Sequence, residues 1–501
     1  MAPRSLTQQT LSGFMWQGGV AGSSLVVRAL VLIVLARHLP AHDFGIVAAA
    51  SVVAAVAQVV TQLGVTKALI QRPALDARHI ATALSLSLFT GACATALLAL
   101  AAPLLAAPFR MEGLAPVLRL MSILLLLNAA TAVPLAIVHR ARKFRNSSLI
   151  DLIAFTFGYG AIGIVLTLQG FGYWALAIAE VSQGAIRMLL YVAIARLPFD
   201  LRPDRNSLRD LVQSGPAFSA GQIGNLVARE VDNLIVGRML GASALGLYSR
   251  AYQFLMLPAQ LVGSAAQIVL FPSIASIQDQ PKRVARAFLR ALGVIAMPTI
   301  PASGVLMVLA PELVVVTLGP QWREMTVPFQ ILIATLLFRT SCKISDSVLL
   351  AMGSMRQRAW RQWIYAAAVA GGAMIGVRWG LNGVAVGVAA AVVLNFFLLL
   401  KLALRVTGIS GRQVFTMHLR HAVAALPIIA GSAAATVAAR YQGWSSVVVL
   451  AVGMATAALI FVLMWFGCRR AFGEDGEWAH AMAASRLVPL MAKFHAQGAR
   501  G

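Results

Sequence analysis

Residues 226–251 read LVAREVDNLIVGRMLGASALGLYSRA, and they align without gaps with residues 25–50, LVVRALVLIVLARHLPAHDFGIVAAA. The offset is 201 residues throughout, and the identical pairs include Arg28 with Arg229, Arg37 with Arg238, Ala41 with Ala242 and Gly45 with Gly246. Only 12% of the chain is charged, so two arginine pairs at one offset are hard to attribute to chance. The alignment predicts an internal repeat in which the two stretches are equivalent.

The composition is that of a membrane protein. Hydrophobic residues make up 59% of the 501 residues, and the mean hydropathy is +0.80. The apolar residues come in runs of about 20, the length of a helix that spans a bilayer, and the alternating pattern of a membrane barrel is absent. Polar, Gly and Pro punctuation predicts fourteen helical spans, at 13–36, 44–66, 80–107, 115–138, 148–168, 172–194, 214–238, 245–272, 288–318, 325–351, 360–377, 380–404, 418–438 and 444–467.

The net charge of +24 is distributed unevenly along the chain. With the N-terminus assigned to the cytoplasm, most of the 41 Lys and Arg residues fall in predicted cytoplasmic segments, as the positive-inside rule requires. The basic excess therefore reflects topology and argues against nucleic-acid binding. Both termini are predicted to be cytoplasmic, and the outer loops are too short to hold a catalytic domain.

The number of spans fixes how the two copies of the repeat are oriented. The equivalent stretches begin on the first and the seventh predicted spans, which are offset by six, an even number, so the two halves have the same orientation in the membrane. We therefore predict parallel repeats related by a pseudo-two-fold axis along the membrane normal. Halves of this kind usually enclose a central cavity that opens alternately to the two sides.

Charged residues inside the predicted spans are the candidate functional groups, because charge in a bilayer is costly and usually faces a cavity or a partner. The candidate substrate-binding residues are Arg28, Arg229, Arg339, Lys343 and Asn225. A guanidinium group suits phosphate because its planar fork binds two oxygens at once, so one interpretation is a cationic cavity for an anionic substrate. The alternative is that Arg–Asp pairs hold helices together without touching substrate.

Spacing groups these residues into two polar stripes. On the seventh span the members are Asn225, Arg229, Asp232 and Asn233, with Glu230 turned about 100° away from Arg229. On the tenth span they are Arg339, Lys343 and Asp346. Asp232 and Glu230 are candidates for binding a coupling proton or cation, with an arginine partner as the alternative. Asp151, Glu180 and Arg187 are further charges within or near spans, and Arg37 and Arg238 are predicted to reach the lipid headgroups.

Further motifs follow one another along the chain. They are LARHLPAHDFG (35–45), HRARKFRNSSLIDLIAF (139–155), GFGYWALAI (170–178), VDNLIVGRMLGASALGLYSRAY (231–252), GPQWREMTVPFQIL (319–332) and AMGSMRQRAWRQW (351–363). Their order and spacing resemble the polysaccharide transporter (Wzx-type flippase) family of the multidrug/oligosaccharidyl-lipid/polysaccharide exporter superfamily, over most of residues 10–405.

The resemblance implies an all-α polytopic membrane protein with about fourteen transmembrane helices. We expect two six-helix lobes, residues 1–195 and 214–405, joined by a cytoplasmic linker at 196–213. Two C-terminal helices (406–468) and a cytoplasmic tail (469–501) follow.

The resemblance also implies a multi-pass protein of the bacterial inner membrane that flips undecaprenyl-pyrophosphate-linked oligosaccharide for exopolysaccharide or lipopolysaccharide export. Its expected partners are that lipid-linked oligosaccharide and membrane lipids, with a polysaccharide polymerase and export machinery as further candidates. No cofactor or metal is expected. Because no P-loop motif is present, an H⁺ or Na⁺ gradient, or consumption of product on the far side, would have to drive transport.

Two other functions are open at this stage. A drug or cation antiporter of the same superfamily would need an acidic cavity, whereas the charges in the spans are on balance basic. A membrane glycan polymerase or ligase would need a large outer loop with catalytic groups, and the outer loops are short. Neither alternative fits the sequence as well as a flippase.

Overall fold

The computed structural model of the chain describes residues 23–467, with gaps at 25, 62–68, 70–75, 142, 196–203, 205–214, 266–269 and 354. The described residues form helices and connections, with no strand among them. The predicted tail and, apart from Asp204, the predicted linker lie outside these residues. Helix contacts divide the chain into two compact units, Met1–Arg250 with Thr317–Gln321 and Ala373–Val384, and Ala251–Val316 with Trp322–Gly372 and Ala385–Gly501.

The first unit is built around helix α4, which packs against its neighbours α2, α3 and α6. Its helices are α1 (26–38), α2 (Ala41–Thr61), α3 (Ala77–Ala106), α4 (Leu114–Arg140), α5, α6 (Tyr173–Ala195) and the first part of α7 (Gly215–Ala265). Helix α5 begins as Phe144–Ile153, widens into a π-helix over Ala154–Ala161 and ends as Ile162–Leu168. Gly170 and Gly172 adopt positive φ, 82° and 55°, in the turn before α6, which only glycine adopts without strain.

The second unit has a buried apolar core that includes Phe288, Leu292, Val348 and Leu349. Its helices after α7 are α8 (Phe271–Ala275), α9 (Pro281–Val308), α10 (Ala310–Thr317), α11 (Thr326–Ile333), α12 (Leu336–Ala351), α13 (Met355–Gly376), α14 (Gly380–Thr407), α15 (Gly411–Tyr441) and α16 (Ser446–Gly467), of which α10, α13 and α14 contribute terminal residues to the first unit. Ser410 starts α15 with a capping box: its side chain accepts from the Arg412 amide, and the Gln413 side chain returns to the Ser410 backbone.

Helix α7 is a hairpin of two helices rather than one rod. Gly241 interrupts it with φ 87° and ψ −177°, a conformation that L-residues rarely adopt. Asp232 and Tyr248 would lie about 24 Å apart along a straight helix, yet their side chains are hydrogen-bonded at 2.8 Å. The chain therefore reverses at Gly241, and α7 supplies two segments, as the boundary predicted between 238 and 245 requires.

The prediction of a helical multi-pass membrane protein is confirmed. Among the described residues, nine helices are long and apolar enough to cross a membrane, and the pair Pro320–Ile333 and Leu336–Ala351, bent by 45°, adds a tenth. This number is smaller than the fourteen predicted spans for three reasons. Helix α1 is described only from residue 23, the charges on α7 lower its hydropathy, and residues Trp360–Thr407 count as one long apolar run although Gly380 separates α13 from α14.

Candidate functional site

Arg28 lies exposed on α1 and stacks on an aromatic ring. Its guanidinium carbon is 4.3 Å from the centroid of the Phe155 ring, a cation–π distance. Phe155 belongs to the π-helical part of α5, and its ring stacks on Tyr159 at 5.3 Å. Among the described residues no carboxylate pairs with Arg28. A stacked guanidinium keeps its edge N–H groups available for an oxyanion.

Arg229 lies exposed on α7 and pairs with its neighbour in sequence. Arg229 Nε lies 2.9 Å from Glu230 Oε1, and Asn233 Nδ2 donates to Glu230 Oε2 at 3.2 Å. Glu230 starts about 100° around the helix from Arg229, as predicted, but both side chains are long enough to bridge adjacent positions. The Arg229 side chain is 63% exposed in spite of this pair, and Asn225 is also exposed.

Asp232 is buried at 2% exposure, so it does not share the exposed face of Arg229 as the spacing predicts. Tyr248 Oη donates to Asp232 Oδ2 at 2.8 Å, and the Asn233 backbone N–H donates to Asp232 Oδ1 at 2.9 Å. The partner that spacing could not reveal lies across the Gly241 reversal. The carboxylate thus holds the α7 hairpin together.

In the second unit, the predicted stripe on α12 divides into three environments. Arg339 is buried, and its Nε and Nη1 donate to Thr335 Oγ1 and Tyr252 Oη at 3.2 and 3.1 Å. Lys343 is exposed. Asp346 pairs with Arg361 on α13, with Oδ1 and Nη2 3.7 Å apart. Of the predicted cations in this unit, Lys343 is the exposed one.

A polar cavity of about 240 Å³ in the first unit was not predicted from the sequence. Helices α2, α4 and α6 line it with Ser51, Ala54, Ala55, Gln58, Met121, Leu124, Leu125, Asn128, Glu180, Gln183, Gly184 and Arg187. Ser51 Oγ donates to Glu180 Oε2 at 3.3 Å. Glu180, Gln183 and Arg187 are spaced i, i+3 and i+7, which puts them on one helix face. This spacing is the sequence signal that could have predicted a polar face on α6.

Arg187 connects the cavity to polar groups near the end of α4. Its Nε lies 3.0 Å from Asp151 Oδ1, and its guanidinium carbon is 5.7 Å from the Tyr191 ring centroid. The buried Tyr191 hydroxyl is 2.6 Å from Ser147 Oγ, which is 3.0 Å from His139 Nε2. The charge of Arg187 is therefore already balanced by Asp151.

Arg37 and Arg238, the second arginine pair of the repeat, contact protein backbone in addition to any lipid. Arg37 Nε donates to the Thr317 carbonyl, and Arg238 Nη1 donates to the Pro108 carbonyl, each at 3.2 Å. Gln321 Nε2 adds a bond to the Ala36 carbonyl at 3.0 Å. Each arginine thus binds a backbone carbonyl at the end of the third predicted span of the other half.

The arrangement offers two kinds of chemistry. Arg28, Arg229 and Lys343 present exposed cations on largely apolar helices and suit an anionic group. The cavity between α2, α4 and α6 offers amides, a hydroxyl and a carboxylate and suits a neutral polar group. Within the part of the chain that the structure describes, no group of three or more His, Cys, Asp or Glu side chains is placed to hold a metal ion.

Comparison with known sequences gives consistent matches. The model of a family described as polysaccharide biosynthesis protein matches residues 34–327. The lipopolysaccharide biosynthesis protein WzxC of Escherichia coli strain K12 is 25% identical over 82% of this chain and 84% of its own. The teichuronic acid biosynthesis protein TuaB of Bacillus subtilis strain 168 is 24% identical over 70% and 72% of the two chains. The succinoglycan biosynthesis transport protein ExoT of Rhizobium meliloti strain 1021 is 28% identical over 58% of each.

Solved structures share the fold. The lipid II flippase MurJ in an inward closed conformation superposes with a TM-score of 0.70 at 13% identity, over 90% of this chain and 99% of that one. An inward-facing multidrug resistance transporter of the MATE family, in the MOP superfamily, gives a TM-score of 0.60 at 16% identity, over 77% and 96%. At such low identity these likenesses establish the helical transporter fold and nothing further.

Proposed function

Because the chain belongs to the polysaccharide biosynthesis protein family, we propose that it is a transporter that flips undecaprenyl-pyrophosphate-linked oligosaccharide across the bacterial inner membrane. The family match confirms the resemblance to Wzx-type flippases. The observation that carries the proposal is Arg28, which is exposed on a membrane helix and stacked on Phe155 and pairs with no carboxylate among the described residues. A guanidinium so placed binds diphosphate oxygens through its fork.

The physical task of such a transporter is to lower a barrier. A pyrophosphate and its sugars cross hydrocarbon only at a large cost, since charged and unsatisfied polar groups are poorly solvated there. Arg28 and its repeat equivalent Arg229 each offer a cation to the pyrophosphate, and Arg339, Lys343 and Asn225 are further candidate contacts. An H⁺ or Na⁺ gradient supplies the energy, with Asp232 and Glu230 as candidate ion-binding carboxylates.

We assign the chain fourteen spans, cytoplasmic termini and two lobes related by a pseudo-two-fold axis. Reciprocal contacts support the axis: a methyl group on Gly45 would overlap the carbonyl of Ala242, and one on Gly246 would overlap that of Ala41. Because Gly45 is equivalent to Gly246 and Ala41 to Ala242, the contact has the self-complementary form that a two-fold axis produces.

Alternating access requires contacts on the outer side that form and break. The bonds from Arg37 to Thr317 and from Arg238 to Pro108 lie at the predicted outer ends of α1 and of the first segment of α7. Each bond joins an arginine of one half of the repeat to a backbone carbonyl of the other half. We propose that they close the outer side and must break before substrate leaves.

The remaining alternatives fit less well. A drug or cation antiporter of the same superfamily would need an excess of acids toward its substrate. Asp232 is buried against Tyr248, Glu230 is paired with Arg229, and Glu180 shares the cavity with Arg187. A glycan polymerase or ligase would need catalytic groups in an outer loop. We propose a polysaccharide polymerase and export machinery as partners, because these would use the flipped product.

Reconstituted protein tests the function. Proteoliposomes carrying lipid-linked oligosaccharide in one leaflet are followed with a glycosidase that cannot cross the bilayer. We expect oligosaccharide to become accessible faster than in protein-free vesicles, and faster still when the correct H⁺ or Na⁺ gradient is imposed. Equal rates with and without protein would exclude the flippase, and uptake of a cationic dye instead would favour the antiporter.

A further inference from the structure

We propose that the cavity between α2, α4 and α6 binds a neutral sugar ring of the lipid-linked oligosaccharide, apart from the cations that bind its pyrophosphate. The inference rests on the proposed function and adds a second subsite to it. Six of the twelve lining residues are polar, and three of them, Gln58, Asn128 and Gln183, are amides. Amides both donate and accept, which matches hydroxyl groups that also do both.

Two of these amides make no hydrogen bond to any residue that the structure describes. Asn128 and Gln183 are partly buried, and within the described residues their side chains make no hydrogen bond. Amides inside a membrane protein are costly to leave unsatisfied. Their position at a cavity, rather than within a packed interface, indicates that a ligand or water satisfies them.

The electrostatics favour a neutral ligand over an anionic one. The cavity holds one carboxylate, Glu180, and one guanidinium, Arg187, and Arg187 is already paired with Asp151 at 3.0 Å. The residues that line the cavity therefore carry no excess positive charge of their own for a phosphate. Glu180 accepts from Ser51 at 3.3 Å through Oε2, and a carboxylate can accept further hydrogen bonds from sugar hydroxyls.

The volume of the cavity and its position along α6 fit a single sugar ring. The cavity of about 240 Å³ lies just below the range of roughly 300–1,000 Å³ typical of drug-sized ligands. Glu180 and Arg187 lie on either side of the middle of the 23-residue α6, so the cavity is near the level where a crossing sugar is farthest from water. Met121, Leu124 and Leu125 supply an apolar wall for the C–H face of the ring.

Binding measurements with two lipids separate this subsite from the pyrophosphate site. The full-length protein in detergent is titrated with lipid-linked oligosaccharide extracted from the bacterium that encodes it, and with undecaprenyl pyrophosphate that carries no sugar. We expect Asn128→Ala and Gln183→Ala each to weaken binding of the glycosylated lipid about fivefold. Affinity for the bare lipid should not change, which also shows that the variants are folded. Gln169→Ala, an exposed amide at the end of α5, should alter neither affinity.

Each other outcome overturns a defined claim. If the variants bind both lipids more weakly to the same extent, or bind neither more weakly, the cavity is not a sugar subsite, although the proposed flippase function stands. If the wild-type protein binds neither lipid, the proposed function itself fails. If Glu180→Gln changes only the Na⁺ or pH dependence of binding, equally for both lipids, the cavity is a cation site instead.

Discussion

Gly45 lies against the backbone carbonyl of Ala242, so close that no side chain fits between them. The equivalent residues of the repeat, Gly246 and Ala41, make the same contact in reverse. Close approach of two helix starts is what glycine permits, because it lacks a β-carbon. The two glycines that the repeat aligns therefore have a structural role at the place where the two copies meet.

Replacing either glycine should disturb this contact. We expect Gly45→Ala and Gly246→Ala each to lower the free energy of unfolding by about 1–3 kcal/mol, the usual range for overpacking, because the new methyl group overlaps backbone that cannot move aside. Thermal unfolding in detergent measures the effect. Gly371→Ala is the matched control, since nothing lies within 4 Å of its added carbon. Equal melting temperatures for all three variants would contradict the close contact.

The arginines at the predicted outer ends, Arg37 and Arg238, should control access from that side. In a cysteine-free background, Leu39→Cys places a thiol at a buried position beside Arg37. We expect a membrane-impermeant maleimide to label it about thirtyfold faster when Arg37→Ala and Arg238→Ala are combined, because two hydrogen bonds of about 1 kcal/mol each are lost. Arg323→Ala, an exposed residue, serves as control. An unchanged labelling rate would rule out closure by these bonds.

The repeat and the helix boundaries were accessible from the sequence because both depend on local pattern. Apolar runs and glycine punctuation located most of the described helices to within a few residues, including the α7 hairpin around Gly241. Helices α9 and α15 begin seven residues before the predicted spans, and the predicted span 288–318 divides into α9 and α10. The partners of the charged residues were not accessible. Asp232 binds Tyr248 across a chain reversal, and Arg28 stacks on Phe155, which a π-helix places. No periodicity argument anticipates a wider helical turn.

The bond between Tyr248 and Asp232 should stabilise the α7 hairpin. Tyr248→Phe removes a donor from a buried carboxylate, and we expect unfolding to become easier by about 1–3 kcal/mol. Asp232→Asn keeps the shape of the side chain and removes its charge. The variant that combines both substitutions should therefore lose less stability than the sum of the losses in the two single variants. A double-mutant cycle by thermal unfolding measures this coupling. Strict additivity would mean that the pair makes no energetic contribution.

Glu312 in the second unit depends on one arginine. Arg440 binds it through Nε and Nη2, each at 2.7 Å, and the Glu312 side chain is only 9% exposed. Arg440→Ala leaves that carboxylate buried and unpaired, so we expect the free energy of unfolding to fall by about 3–5 kcal/mol. Adding Glu312→Gln should restore much of the stability. If the second change restores nothing, the loss comes from packing rather than from charge.

The polar cavity could have been predicted only in part from the sequence. Glu180, Gln183 and Arg187 have the same one-face spacing that drew attention to Arg229 and its neighbours. The cavity itself depends on α2 and α4, which bring Gln58 and Asn128 to that face. The pattern of one helix does not reveal which helices pack against it. The cavity volume, and the two amides that bond to no described residue, could therefore be found only from the structure.

The most direct test is the rate at which proteoliposomes translocate lipid-linked oligosaccharide when Arg28 and Arg229 are both replaced by alanine. Loss of two guanidinium–diphosphate contacts should slow translocation by at least about tenfold, while Arg323→Ala keeps the wild-type rate. Translocation by the double variant at the wild-type rate would contradict the claim that these repeat-related arginines bind the pyrophosphate.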